Sequence, residues 1–130
     1  METNKPSIIS FDFKKNRIRI SRSALNAIGN PEYVQILINP ITKEVVIHKS
    51  IPEDHLAHRV KYTKIRNHSY ELYSKSLITS IQEVCPTLQA NRTYTLNNTA
   101  IRSGNLIVFS LKDAEKSLKE DKKDYAWSTA

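Results

Sequence analysis

The sequence predicts a mostly-β domain with short helices, assembled from two degenerate ββαββ halves and followed by a charged tail. Three observations carry that prediction. Short apolar, β-branched runs alternate with turn residues along most of the chain. Tyr73-Ser74-Lys75-Ser76-Leu77-Ile78-Thr79-Ser80-Ile81 follows Ile20 to Ile28 position by position, with Ser74 on Ser21, Lys75 on Arg22, Ser76 on Ser23 and Ile81 on Ile28. The order of elements around that stretch also repeats, which is what a duplicated unit leaves behind.

In the first half, Ile8 to Phe13 alternates as a strand that puts Ile9, Phe11 and Phe13 on one face. Lys14-Lys15-Asn16 turns the chain, since Asn tolerates a left-handed backbone. Arg17 to Ile20 is the second strand, with Ile18 and Ile20 on one face and Arg17 and Arg19 on the other. Ser21 stops it and can cap a helix over Arg22–Ile28, because its hydroxyl can accept from a free N–H of the first turn. Gly29 closes that helix. Tyr33 to Ile38 and Glu44 to His48 are returning strands, joined by turn chemistry at Asn39-Pro40-Ile41-Thr42-Lys43.

A connector over 50–58 carries Pro52 and an acidic pair. The second half then repeats the order. Arg59 to Arg66 reads as an unusually cationic strand, Asn67-His68-Ser69 as the turn, and Tyr70 to Tyr73 as its partner strand. Ser74 caps a helix with Leu77, Ile78, Ile81, Val84 and Cys85 on one face, and Pro86 ends it. Arg92 to Leu96 and Leu106 to Phe109 are the last strands. The domain therefore spans 7–112, in halves of 7–49 and 59–112. Ile18, Ile20, Leu25, Ile28, Val34, Ile36, Ile78, Ile81, Leu96 and Val108 are expected to share one core. Residues 113–130 are mostly charged, with Tyr125 and Trp127 near the end, and read as a solvated helix or disordered tail.

The chain has 130 residues, 39% of them hydrophobic, enough for one domain with a real core. Twenty Lys and Arg against thirteen Asp and Glu give a formal net charge of +7. That excess favours a polyanionic partner, nucleic acid first, with an acidic protein surface or anionic lipid satisfying the same charge. A single cysteine, Cys85, allows no internal disulfide and fits an intracellular setting. Without a membrane-length apolar run or signal-peptide pattern, the expected location is the cytoplasm.

Asn16-Arg17-Ile18-Arg19-Ile20-Ser21, the short helix closing on Ile28-Gly29, Glu32-Tyr33-Val34-Gln35-Ile36 and Lys43-Glu44-Val45-Val46-Ile47 together resemble the AbrB/MazE/MraZ swapped-hairpin proteins. That resemblance is clear over residues 11–49 and holds in outline over the second half. It implies a pseudo-twofold swapped-hairpin β-barrel carrying both copies in one chain, and double-stranded DNA as partner. Arg17 matches the family's strand arginine, Asn16 stands where the family has glycine, and Ser21 replaces its proline. Leu25 and Asn26 stand where DNA-binding members place helix arginines, and Tyr70 replaces the strand arginine in the second half.

The residues themselves propose Lys14, Lys15, Arg17, Arg19 and Arg22 as phosphate contacts, matched by Arg59, Lys61, Lys64, Arg66 and Lys75 in the second half. Engaging about six phosphates would give log K against log salt a slope of roughly −5. The bland alternative is an ordinary solvated strand face. His55-x-x-His58 beside Glu53 and Asp54 lacks a helix to fix it and a cysteine ligand nearby, so no metal is expected. Gly29 and Gly104 are the only glycines, which leaves no phosphate-cradling loop and no cofactor. No serine stands in a nucleophile's context and no His–carboxylate pairing is evident, so the chain is not expected to be an enzyme. Tyr62, Tyr70, Tyr73 and Tyr94 could stack on bases, although strand tyrosines more often pack. The leading expectation is a non-enzymatic DNA-binding regulator, a monomeric pseudo-dimer or homodimer. Its rival is a protein-binding module, such as an antitoxin or a mobile-element inhibitor of a host nuclease.

Overall fold

The computed structural model describes residues 7–102 and 104–115. In chain order it forms β1 (Ile8–Asp12), β2 (Arg17–Ser21), α1 (Arg22–Ala27), β3 (Tyr33–Asn39), β4 (Glu44–Lys49), β5 (His58–Arg59), a 3₁₀ turn (Tyr62–Lys64), β6 (Ser69–Tyr73), α2 (Lys75–Val84), β7 (Thr93–Arg102) and β8 (Leu106–Ser110). The eight strands make one sheet in the order β5-β3-β4-β8-β7-β1-β2-β6, antiparallel throughout and curled into a half-barrel. Its two edges approach each other through residues 60–68. Tyr70 on β6 donates its hydroxyl to the Arg59 carbonyl on β5 at 3.0 Å.

Period-two alternation fills the concave side. Ile9, Phe11, Ile18, Ile20, Val34, Ile36, Val45, Ile47, Leu96, Ile107 and Phe109 point inward and meet Ala24, Leu25 and Ile28 of α1 and Ile78 and Ile81 of α2 in one cluster. Nine of the ten residues expected in the core belong to it. Val108 does not. Its register neighbours are Val46 and Ala100, on the opposite face from the Ile107 and Phe109 that enter the core. It is buried there at 4% exposure. Leu111 and Ala114 are also buried in the cluster, so the packed domain runs beyond the expected boundary at 112. The tail aromatics Tyr125 and Trp127 lie outside the described residues.

The repeated serines make repeated bonds. Ser21 Oγ accepts from Ala24 N at 3.2 Å and Ser74 Oγ from Leu77 N at 3.2 Å, so each caps its helix. Ser21 also lies 3.1 Å from Ser23 Oγ, and Ser74 lies 3.3 Å from Ser76 Oγ. The turns before β2 and β6 use positive φ at Asn16 (53°) and at Asn67 and His68 (54° and 61°). Two consecutive left-handed residues are what a tight two-residue hairpin requires, and Arg66 and Ser69 are bridged across this one. Each turn also receives a backbone bond from the other half's helix start: Ser74 N donates to Asn16 O at 3.0 Å and Arg22 N to His68 O at 2.8 Å.

Ser21 does more than Ser74, because its hydroxyl also accepts from Ile8 N at 2.9 Å and ties β1 to the helix cap. Ser21→Ala is therefore expected to cost about 2–3 kcal/mol, against about 1 kcal/mol for Ser74→Ala. Urea unfolding of the two variants checks the order.

One expected element is replaced. Arg59 to Arg66 is not a continuous strand: β5 stops at Arg59 and Tyr62–Lys64 form a 3₁₀ turn. Strand alternation would carry Val60 and Tyr62 inward and then bury Lys64 while exposing Ile65. The turn shifts the phase, so Val60, Tyr62 and Ile65 all pack on the core and Lys64 stays in water. Tyr62 Oη donates to Pro31 O at 2.6 Å and fixes it.

Candidate nucleic-acid interface

β2 and β6 lie side by side from Arg17↔Tyr73 to Ser21↔Ser69. Four steps at strand rise separate the two ends by about 14 Å. At one end, the β1–β2 turn brings Lys14 and Lys15 beside the α2 start with Lys75, held by the Ser74 N to Asn16 O bond. At the other, the Asn67-His68 turn brings Arg66 beside the α1 start with Arg22, held by the Arg22 N to His68 O bond. Lys61 and Lys64 flank this second cluster on the 3₁₀ segment. Each cluster thus combines the turn of one half with the helix start of the other.

Lys14, Lys15, Arg22, Lys61, Lys64, Arg66 and Lys75 are all exposed. None of the seven makes an ion pair with a described residue. The remaining sequence-predicted cations are occupied. Arg17 Nη2 lies 3.2 Å from Asp12 Oδ2, and both side chains are largely buried. Arg19 Nε donates to Glu71 Oε2 at 2.8 Å, and Arg17 Nη1 lies 3.9 Å from the same oxygen. These pairs neutralise the middle of the ladder. Arg59 lies 3.2 Å from Glu32 in solvent, a contact worth well under 1 kcal/mol that a phosphate can displace.

No family model, no curated protein and no solved structure matches this chain.

Local chemistry around the clusters is mild. Burial pushes the Tyr62 phenol up, and the Arg22 guanidinium partly opposes the shift. Tyr73, outward on β6 and cross-strand from Arg17, is 65% exposed at the end of the ladder nearest the first cluster. Its place beside the first cluster follows from the β2–β6 register. Burial first, then Glu115, pushes the Cys85 thiol up, so it stays protonated at neutral pH. Among the described residues, no group of three or more His, Cys, Asp or Glu could hold a metal ion. No helix among them is long and apolar enough to cross a membrane.

Burial lowers the pKa of His58 below its ordinary value of 6.5. The unfolded chain then binds more protons than the folded one in mildly acidic solution. Stability is whole above about pH 6.5 and declines as the pH falls from there towards the depressed folded value. Urea midpoints at pH 7.5 and 5.5 should differ less in His58→Gln than in the native chain.

Proposed function

We propose that this chain is a non-enzymatic DNA-binding protein of the regulatory kind, and that it grips duplex DNA by its phosphates through the two cation clusters. The observation that carries the reading is the placement of seven exposed cations, none in an ion pair with a described residue, in two groups at opposite ends of one strand pair. The strand ladder that separates them is about 14 Å long, of the order of the ~12 Å width of the B-DNA major groove, which suits groups reaching phosphates on its two sides. Contacts of this kind position a protein and carry no sequence information themselves.

The architecture we assign is two halves related by an approximate twofold, as in swapped-hairpin barrels. The strand order supports it. Exchanging β1 with β5, β2 with β6, β3 with β7 and β4 with β8 returns the same order when it is read backwards around a ring. The counterpart strands β2 and β6 pair with each other, as do β4 and β8, which is the pairing an axis running between them would produce. Phe13 N to Arg92 O and Val60 N to Glu32 O are equivalent bonds in this scheme.

A salt series with a random-sequence duplex tests the reading. Seven phosphate contacts give log K a slope of about −6 against log salt. Binding that is absent at 50 mM salt, or independent of salt, rules it out. An acidic protein displacing the duplex would instead favour a protein partner for the same cations.

A further inference from the structure

A second surface, away from the cation clusters, is built from an open strand edge. β3 pairs with β4 along its length, but β5 covers only Tyr33 and Val34 on the other side. β5 is cut short because Asp54 turns the preceding chain away. Its carboxylate accepts from Ser50 Oγ at 2.6 Å and from Leu56 N at 3.0 Å, and its carbonyl accepts from Ala57 N at 3.1 Å. Glu32 O accepts from Val60 N on the β5 side, whereas Tyr33 O accepts from Ser50 N on the β4 side. Alternation then directs the N–H and C=O groups of Ile36 and Ile38 into the lane that β5 has left. No described residue bonds to them there.

That lane is the floor of a groove of about 580 Å³ between β3 and α2, lined by Ile36, Leu37, Ile38, Leu77, Ser80 and Val84 among others. A second hollow of about 330 Å³ shares Ile36, Leu37 and Leu77 and continues the groove to the exposed Leu56. Open edges are normally blunted by charge or proline; Tyr33-Val34-Gln35-Ile36-Leu37-Ile38-Asn39 carries neither, and Pro40, just past the strand, and Glu83 of α2 are the residues of those kinds on the groove.

We propose that this lane receives an extended segment of a partner polypeptide, added antiparallel to β3, with its main chain bonded to Ile36 and Ile38 and apolar side chains against Leu77 and Val84. Strand addition of this kind draws affinity from backbone bonds and specificity from the flanking wall.

The test uses the full chain and a synthetic peptide, acetyl-Thr-Val-Thr-Val-Thr-Val-Thr-amide, followed by amide NMR and hydrogen exchange. Ile36 and Ile38 amides should exchange rapidly in the free chain. They should slow about tenfold at ten times the peptide's Kd. The same peptide N-methylated at alternate residues should leave them unchanged. Leu77→Lys and, separately, Ser80→Lys should weaken binding while the spectrum stays native. Unchanged Ile36 and Ile38 signals at millimolar peptide would overturn the proposal, as would equal binding of the N-methylated peptide. Slow exchange of both amides in the free chain would also overturn it, because the lane would already be filled by the chain itself.

Discussion

Replacing Lys15, Arg22, Arg66 and Lys75 together with alanine is expected to lower affinity for a random duplex on the order of 10³-fold at 0.1 M salt. Each phosphate contact contributes about 0.9 to the salt slope, which at 0.1 M corresponds to nearly tenfold in affinity. Removing four of seven contacts should bring the slope from about −6 to about −3. All four side chains are exposed and make no ion pair with a described residue, so the thermal midpoint should stay close to that of the native chain. Arg19→Ala is the internal control. Its guanidinium is held by Glu71, and duplex affinity should change less than threefold. Loss of affinity in Arg19→Ala equal to that in the fourfold variant would move the interface to the ladder itself.

Truncating the core from either half should destabilise the same cooperative unit. Ile20 sits on β2 and Ile81 on α2, both fully buried in one cluster. Ile20→Ala and Ile81→Ala should each cost about 2–5 kcal/mol, the lost transfer free energy plus the cavity left behind. Circular dichroism and tyrosine fluorescence should still report one coincident transition in both variants. Halves that pack independently would behave differently, with one half melting first and the two probes separating.

Much of this fold was legible because the residues that set it act locally. Ser21 and Ser74 announce the helix starts, Asn16 and Asn67 the left-handed turns, and alternation gives the inward face of nearly every strand. The local pattern misleads where a tertiary demand overrides it. Ile65 needed the core, so the chain between Arg59 and Arg66 broke its alternation with a 3₁₀ turn. Val108 was misplaced because Ile107, Val108 and Phe109 are all apolar, and only pairing with β4 and β7 decides which two point inward. For the site, sequence located all ten cations but could not say which were free. That depends on Asp12 and Glu71, which meet Arg17 and Arg19 only through turn and cross-strand geometry. The open edge of β3 was invisible, since nothing in Tyr33 to Asn39 tells how far β5 runs beside it.

Backbone amide shifts recorded during titration with a twelve-base-pair duplex at 50 mM salt give the most direct test of where DNA sits. Docking across both clusters predicts the largest changes at residues 14–16, 22–23, 61–68 and 74–76 together, saturating at one stoichiometry, with Ile36 and Ile38 unmoved. Shifts confined to one cluster, or centred on the β3 and α2 groove, would contradict a grip that spans the β2–β6 ladder.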